Sequence, residues 1–432
     1  MSLLINVAEA RERLLESFSA VEVESIPLTE ASGRVLAEDV ISGFDLPLFS
    51  NSSMDGFAVR AEDVADSRPD KPVLLSVVAD IPAGQMSQVE LRRGEAARIM
   101  TGAPLLGGAD AVVPVEDTDH HGRGDHPGST APSQVRIYQP VDTGAFIRPR
   151  GQDVGAGEVV LKSNVRLRPQ DIGLLAMLGC SDVKVFRKPR VVMLSTGDEL
   201  LPIEEPLSPG KIHDSNAYTL AAAIAKEGGE AIYLGIARDE EETVQRIIEK
   251  AIEFEADLIL SSAGVSVGAF DFVRQVVEKN GRLEFWRVNM RPGKPLAFGA
   301  YRGIPFIGLP GNPVSAFVGY EVFVRPAIRK LSGLPGVHRP TVSVRLREAV
   351  ESDGRESYLR AIVDFQDGHY FATLTGHQGS GNLLSLVQAN ALLIIPSGVK
   401  SLPAKAEVGA WLLGEIEEGI TASWTKNIES AR

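Results

Sequence analysis

Two turns in the second half of the chain carry residues suited to binding a phosphate or another oxyanion. The first turn, residues 261–268, contains only Ser, Ala, Val and Gly and follows a largely apolar run at 257–260 that is typical of a buried strand. Hydroxyls and backbone N–H groups in such a turn approach an anion closely. The candidate contacts are Ser262, Gly264, Ser266 and Gly268. The same composition also suits a turn that only connects a strand to a helix.

The second turn has the sequence Pro-Gly-Asn-Pro at 310–313 and follows a buried strand predicted at 305–309. Asn312 is the expected N-cap and Pro313 the expected first residue of a long apolar helix. Lys294 supplies a cation shortly upstream. Because the carboxyl ends of parallel strands meet at one edge of a sheet, we expect the two turns to face one crevice.

Several acidic side chains stand at turns where they could bind a metal ion or position a water molecule. Asp239 and Asp271 follow predicted strands, and carboxylates from separate strand ends suit Mg²⁺. Each also has a structural alternative, since Asp239 opens an acidic run and Asp271 could cap a helix predicted at 272–279. Asp55 precedes a glycine and could simply form a turn. Of the adjacent Asp198 and Glu199, we prefer Glu199 for the site.

The pattern of apolar residues changes along the chain, and it predicts different secondary structure in different regions. Residues 188–333 alternate between strand and helix patterns, which predicts a doubly wound α/β domain with ligands at the carboxyl ends of its strands. Short apolar runs separated by Gly and Pro predict a β-rich domain at about 45–146, and period-two runs predict a small β-barrel at 340–416. The spacing of apolar residues at 7–18 predicts an amphipathic helix.

A histidine-containing segment at 119–133 interrupts two predicted strands and is rich in Gly, Pro, Ser and Asp. His120, His121 and His126 lie there, but a closed metal site needs rigid placement and support of its ligands, which this composition does not provide. We therefore predict a solvated loop.

Composition narrows the class of protein. The 432 residues allow about three domains, and 44 basic against 57 acidic side chains give a net charge of −13, which disfavours nonspecific nucleic-acid binding. The single cysteine, Cys180, excludes an internal disulfide framework and fits a reducing compartment. No apolar run reaches transmembrane length and no secretory signal is evident, so we expect a cytoplasmic protein without a membrane or nucleic-acid partner.

The motifs together resemble the MoeA/gephyrin E-domain family of molybdenum-cofactor biosynthesis. They occur in order as N-S-S-M-D-G-F-A (51–58), R-I-M-T-G-A-P (98–104), T-G-D-E-L (196–200), G-K-I-H-D-S-N (210–216), S-A-G-V-S-V-G-A-F-D (262–271), P-G-K-P (292–295) and G-L-P-G-N-P (308–313). Three positions depart from the family's usual residues: Ala263 and Ala391 replace Gly, and Arg291 replaces Lys.

The resemblance implies a fold and a domain division. The fold is multidomain α/β plus β, with a central doubly wound α/β domain, an inserted β-rich domain, a small C-terminal β-barrel and a discontinuous N-terminal helical and mixed domain. The implied domains are 1–45 with 147–180 (linker and dimer contacts), 46–146 (inserted β-rich), 181–333 (molybdopterin-binding α/β) and 334–432 (β-barrel).

The resemblance also implies an activity. A member of this family inserts molybdate into adenylylated molybdopterin with Mg²⁺ and releases AMP, so Mg²⁺ is the implied cofactor and the two substrates are molybdate and the pterin. It works as a homodimer, alongside other molybdenum-cofactor biosynthesis proteins as partners. Asp55 and Thr101, on the inserted domain, are implied to reach the site from the partner subunit.

The residues assigned on this basis fall into two groups. The implied catalytic residues are Asp55, Thr101, Glu199, Asp239 and Asp271, of which Asp239 and Asp271 hold the metal. The implied substrate-binding residues are Gly197, Asp198, Asn216, Ser262, Gly264, Ser266, Gly268, Lys294, Pro310, Gly311, Asn312, Pro313, Arg355 and Arg360.

Two other functions stay open from the sequence. One is adenylylation of molybdopterin by the same α/β domain, against which the flanking domains and the Asp55 motif argue. The other is a noncatalytic scaffold that binds a receptor peptide, as gephyrin-like E domains do.

Overall fold

The computed structural model describes residues 5–121, 130–238, 240–263, 269–414 and 416, and for residues 263, 269–271 and 286 it describes the backbone only. The chain forms two compact units. The small unit comprises Asp39–Ser163 and Met177–Gly179, and the large unit comprises Met1–Glu38, Asn164–Ala176 and Cys180–Arg432. The four-domain division stays a prediction.

The helices run as follows along the described residues. They are α1 (Val7–Glu16), α2 (Ala61–Val64), α3 (Pro169–Met177), α4 (Ser215–Lys226), α5 (Glu241–Glu253), α6 (Ala269–Asn280), α7 (Pro313–Gly319), α8 (Arg325–Leu331) and α9 (Leu383–Gln388). A π-helical turn, Tyr320–Val324, joins α7 to α8, and 3-10 turns lie at Leu28–Glu30 and Val115–Asp117. Among the described helices, none is long and apolar enough to cross a membrane.

The strands are given in two groups, those before and those after about residue 187. The first group is β1 (Val23–Pro27), β2 (Val40–Ile41), β3 (Asn51–Ser52), β4 (Gly56–Val59), β5 (Val73–Ile81), β6 (Glu95–Ile99), β7 (Ala111–Pro114), β8 (Gln134–Ile137), β9 (Ile147–Arg148), β10 (Val159–Leu161) and β11 (Asp182–Phe186). The second group is β12 (Arg190–Thr196), β13 (Leu200–Leu201), β14 (Ile212–His213), β15 (Glu230–Ala237), β16 (Leu258–Ala263), β17 (Gly281–Arg287), β18 (Met290–Arg291), β19 (Pro295–Tyr301), β20 (Ile304–Pro310), β21 (Thr341–Leu346), β22 (Val350–Glu351), β23 (Glu356–Gln366), β24 (His369–Leu374), β25 (Ala391–Ile395), β26 (Ser401–Leu402) and β27 (Glu407–Leu412).

A five-stranded sheet in the order β7-β4-β6-β5-β8 forms the core of the small unit. Phe57 and Ala58 of β4 pack into different apolar clusters, as neighbours on a strand must. Gly56 lies so close to β7 that a Cβ there would be 2.0 Å from the Val113 carbonyl oxygen. Glycine is therefore required at the start of β4, and the exposed Asp55 lies just before it.

A six-stranded sheet in the order β15-β12-β16-β20-β19-β17 organises the large unit. The first four strands are parallel, as predicted, whereas β19 pairs antiparallel with both β20 and β17, and neither β19 nor β17 was predicted. Val191 and Val192 of β12 pack into the clusters on opposite faces, one with α4 and α7 and the other with α5 and α6. Burial on both faces explains the continuous apolar run of this strand and confirms the doubly wound arrangement.

The C-terminal strands close into a small barrel. Neighbours pair in the order β23-β24-β21-β27-β25, and β25 pairs again with β23. β18 extends this barrel by parallel pairing with β23. The barrel residues Tyr358, Leu392 and Trp411 share an apolar cluster with the helices α7 and α8. The barrel and the α/β sheet therefore have a common core.

The starts of α6 and α4 decide the positions of two predicted site residues, and the start of α6 differs from the predicted one. Helix α6 begins at Ala269, so Asp271 is its third residue and not its N-cap, although an acidic residue in the first turn still favours the helix dipole. Helix α4 begins at Ser215, because the side chain of Asp214 accepts a hydrogen bond from the Ala217 N–H and caps the helix. Asn216 therefore lies inside the first turn.

Candidate functional site

A cavity of about 370 Å³ opens in the large unit between the end of β20 and the barrel. We call it the cationic cavity. Its lining residues are Arg291, Pro292, Gly293, Lys294, Pro295, Pro310, Asn312, Ser315, Arg355, Leu359, Arg360, Gln378, Gly379 and Ser380. Four of these carry positive charge, and none of the described lining residues is a carboxylate. This surplus of positive charge suits a small anion.

Arg360 is fully buried on β23 beside the cavity. Its Nε donates to Ser385 Oγ at 3.0 Å and its Nη2 to the Gly379 carbonyl at 2.9 Å. Burial, together with the charge of Arg291, lowers the pKa of Arg360 to about 10, so it remains protonated at neutral pH. Its described partners are neutral, and no described carboxylate pairs with it. A bound anion would complete the pairing of this buried cation.

Arg291, the last residue of β18, and Lys294, just before β19, bring two cations to the cavity. Gly293, in the segment between them, has a φ of +99°, a conformation that favours glycine. Lys294 is exposed at the cavity, and Arg355 fastens the segment to the barrel by donating from Nη1 to the Met290 carbonyl at 3.1 Å. Three cations therefore come from two parts of the chain that bond to each other.

Asn312 is the N-cap residue of α7, as predicted, but its side chain makes no capping hydrogen bond. Its Nδ2 donates instead to Ser380 Oγ at 3.0 Å, and the Val314 N–H donates to the Ser380 carbonyl at 3.1 Å. Pro313 is the first residue of the helix. Asn312 thus links the turn after β20 to a barrel loop across the cavity.

Asn216 joins the ends of two neighbouring strands. Its Nδ2 donates to Ser262 Oγ at 2.8 Å and to the Gly311 carbonyl at 2.7 Å. The Asn216 and Ser262 side chains are both buried. The structure therefore brings together three residues that were predicted separately as substrate contacts. Gly264, Ser266 and Gly268 lie outside the described residues.

Glu199 folds back over the end of β12. A Cβ on Gly197 would lie 2.7 Å from Glu199 Oε2, and Gly197 has a φ of +141°, so glycine is needed for this arrangement. Glu199 is half-buried, whereas Asp198 is exposed and its carbonyl accepts a hydrogen bond from Lys211. The preference for Glu199 over Asp198 stays a prediction.

Asp55 and Thr101 meet within the small unit. Asp55 Oδ1 accepts the Thr101 N–H at 2.6 Å and the Thr101 hydroxyl at 2.7 Å. Both residues are exposed. Two residues 46 positions apart therefore form one polar pair on the surface of this unit.

The two predicted metal ligands are not both described. Asp239 lies outside the described residues, and Asp271 lies in the first turn of α6 with its side chain undescribed. Strands β15 and β16 flank β12, so the chain segments that follow them begin at one edge of the sheet.

The histidine loop is only partly described. His120 packs against Phe57 with ring centroids 5.9 Å apart, and its Nε2 lies 3.3 Å from the Gln134 carbonyl oxygen. His126 lies outside the described residues. No group of three or more potential metal ligands occurs in the described part of the chain.

The sequence reasoning missed the barrel loop that completes the cavity. Gln378 accepts the Arg360 N–H at 2.9 Å and donates to the Arg360 carbonyl at 3.1 Å, and Ser380 contacts Asn312. Ser315, also in the lining, was missed. The run His-Gln-Gly-Ser-Gly-Asn at 377–382 has the small polar composition of the other site turns and could have indicated this loop.

Comparisons with known proteins match the whole described architecture. Three family models match the chain: the MoeA N-terminal region (domain I and II) at 5–179, the probable molybdopterin binding domain at 192–330 and the MoeA C-terminal region (domain IV) at 343–413. The chain is 42% identical to a molybdopterin molybdenumtransferase of Nostoc over 88% of this chain and 86% of that protein. It is 40% identical to molybdopterin molybdenumtransferase 2 of Mycobacterium tuberculosis over 94% and 99%. A crystal structure of a molybdopterin biosynthesis MoeA protein from Pyrococcus horikoshii superposes with a TM-score of 0.79 at 34% identity, covering 96% of this chain and 100% of that one.

Proposed function

The chain belongs to the MoeA family of molybdopterin molybdenumtransferases, and we propose on this basis that it inserts molybdate into adenylylated molybdopterin and releases AMP. The proposal includes a cytoplasmic homodimer as the working form. The observation that carries it is the cationic cavity at the end of the α/β sheet.

Molybdate is a tetrahedral dianion, and the cavity offers it four cations. Arg360 supplies a planar guanidinium held by neutral partners, and Lys294 supplies a mobile point charge. Ser315 and Ser380 add hydroxyl groups to the lining. We assign this cavity to the oxyanion, with Arg291 and Arg355 as further contacts.

The phosphate-bearing pterin is assigned to the neighbouring turns. Ser262 and Gly311 meet through Asn216, and the glycines and serines at 264–268 continue from the end of β16. Pro310 and Asn312 connect this region to the cationic cavity, because both also line that cavity. A pterin bound along these turns would hold its dithiolene beside the oxyanion.

The proposed chemistry balances in two steps. One water cleaves the pyrophosphate P–O bond to give AMP and the pterin monophosphate. One molybdate oxygen then leaves as water with the two thiol hydrogens as the two Mo–S bonds form. We assign Glu199, at the end of β12, to orient the attacking water, and Lys294 to hold a phosphate oxygen.

Mg²⁺ would neutralise charge on the pyrophosphate, and carboxylate oxygens are the donors that it prefers. We propose Asp239 and Asp271 as its ligands, since both follow strands of the same sheet edge. We further propose that Asp55 and Thr101 complete the site from the partner subunit, as the resemblance implies.

Product analysis tests the proposal. Purified protein incubated with adenylylated molybdopterin, molybdate and Mg²⁺ should release AMP only when molybdate is present. Lys294→Gln should slow this release, whereas Lys188→Gln, at an exposed lysine outside the cavity, should not. Release of pyrophosphate from ATP and molybdopterin would instead favour an adenylyltransferase, and no turnover of either substrate would favour a scaffold.

A further inference from the structure

A carboxylate beside the cationic cavity contacts two of its four cations. Asp353 Oδ2 accepts a hydrogen bond from Arg355 Nε at 3.0 Å and another from Nη2 of the same guanidinium. The same oxygen lies 4.0 Å from Arg291 Nη1. Asp353 is not one of the described lining residues, whereas Arg291 and Arg355 are.

These contacts use three of the five N–H donors of the Arg355 guanidinium. Its Nε and Nη2 bond to Asp353, and its Nη1 bonds to the Met290 carbonyl at 3.1 Å. An anion in the cavity therefore shares Arg355 with the negatively charged Asp353. Arg360 differs, because its described partners are a hydroxyl and carbonyls.

The Asp353 carboxylate is held in place but can exchange its partner. Its Oδ1 accepts the backbone N–H of Arg355 at 3.1 Å, which fixes the side chain in a local turn. The side chains of Asp353 and Arg355 are 37% and 32% exposed, and ion pairs this accessible to water are weak and easily exchanged.

We propose that Asp353 is an internal competitor that sets the affinity of the cationic cavity for its oxyanion substrate. This inference rests on the proposed function. A dianion that enters the cavity shares Arg355 with Asp353, so the cavity binds it less tightly than its four cations alone would. Weaker binding raises the molybdate concentration at which the cavity fills and leaves the rate of transfer to the pterin sulfurs unchanged.

The Asp353→Asn substitution tests the proposal with little structural change. Asparagine keeps the Oδ1 that accepts the backbone N–H of Arg355, and it replaces Oδ2 with an amide nitrogen, which removes the charge and the two hydrogen bonds from the Arg355 guanidinium. Removing one charge a few ångströms from a dianion should lower the Kd for molybdate about tenfold by isothermal titration calorimetry. The KM for molybdate should fall as well, without a rise in kcat, because ground-state and transition-state binding increase together.

Asp364→Asn is the matched control. Asp364 lies on β23 and pairs with Arg347 at 2.8 Å, so the substitution removes the same charge and breaks a similar exposed pair outside the cavity. Its Kd for molybdate should equal that of the wild type. In the double variant Asp353→Asn, Arg355→Gln, the gain in affinity for molybdate should be lost. The reason is that Asp353 acts on molybdate binding through its ion pair with Arg355.

An unchanged or higher Kd in Asp353→Asn, with a wild-type melting temperature, would overturn the proposal. Molybdate binding without AMP release would count against the proposed reaction, while the comparison of Kd values would still decide the role of Asp353. If the Asp353→Asn variant binds molybdate and the wild type does not, the result would support the inference. Absence of molybdate binding in every variant would overturn both.

Discussion

Arg360 combines complete burial with positive charge and neutral described partners, and this combination allows a test at the scale of one residue. Arg360→Lys keeps the charge but loses the planar fork that bonds both Ser385 and Gly379. We expect the KM for molybdate to rise about tenfold, as for the loss of about 1.4 kcal/mol of binding. The control is Arg347→Lys, an exposed arginine of the same barrel, which should leave KM unchanged. A wild-type KM in Arg360→Lys would remove Arg360 from the site.

Asn216 allows a second residue-scale test, of positioning. Asn216→Ala would leave Ser262 Oγ and the Gly311 carbonyl without their shared donor, at a cost of about 1–3 kcal/mol in the free energy of unfolding. Turnover should fall sharply, because the two turns lose their link. Asn390→Ala is the matched control, since Asn390 also makes two hydrogen bonds, both to the backbone of Val363, at 2.7 and 2.8 Å. It should destabilise the protein similarly and retain AMP release. Equal activity losses in the two variants would mean that Asn216 acts only through stability.

The same residues show what the sequence could establish about the site. Asn216, Ser262 and Gly311 were each predicted as substrate contacts from their motifs. Their mutual hydrogen bonds were not predicted, because the partners of Asn216 lie 46 and 95 positions away. Asn312 was predicted correctly as the N-cap position, but its side chain bonds to Ser380 of the barrel. Motif spacing predicts which residues gather at a strand end, whereas the pairing of their polar atoms depends on the tertiary fold.

At the scale of elements, helix α6 provides the test of the proposed metal site. Because α6 begins at Ala269, Asp271 is not its N-cap, and neither Asp271→Asn nor Asp271→Ala removes a capping residue. We expect each to reduce the free energy of unfolding by less than about 1 kcal/mol, through the helix dipole alone. Both should lose AMP release and depend less on Mg²⁺ concentration. Wild-type turnover in Asp271→Asn, measured across a Mg²⁺ titration, would remove Asp271 as a ligand.

The parallel strands of the α/β sheet and the helices between them were predicted, whereas β17 and β19 of the same sheet were not. Buried parallel strands such as β12 and β16 are continuous apolar runs, and the helices between them have clear apolar periodicity. Strand β17 is the edge strand beyond β19, and it alternates charged with apolar residues as far as Phe285, so it has less apolar burial to reveal it. Strand β19 lies between β20 and β17 and is buried, so its apolar run was simply overlooked.

At the scale of the whole molecule, the proposed homodimer predicts shared active sites. Asp55→Ala and Asp271→Ala should each abolish AMP release from a homodimer. After denaturation and joint refolding, hybrid dimers should regain part of the activity if Asp55 and Asp271 act in one site from different subunits. Each variant refolded alone is the control and should stay inactive. Inactive mixtures in which subunit exchange is demonstrated by differential tagging would contradict a site shared between subunits.

The common core of the barrel and the α/β sheet has a consequence for how the protein could be divided. Tyr358, Leu392 and Trp411 pack with α7 and α8, and Arg339 donates to both Glu321 and the Leu412 carbonyl. A single cut in the connection at 333–338 would sever the backbone but leave these contacts intact. The two fragments should therefore migrate together through gel filtration and reconstitute the cationic cavity from separate polypeptides. The barrel lines part of the cavity and shares its apolar core with the α/β sheet. We therefore expect a gene split at this point to encode two polypeptides that together form an active protein.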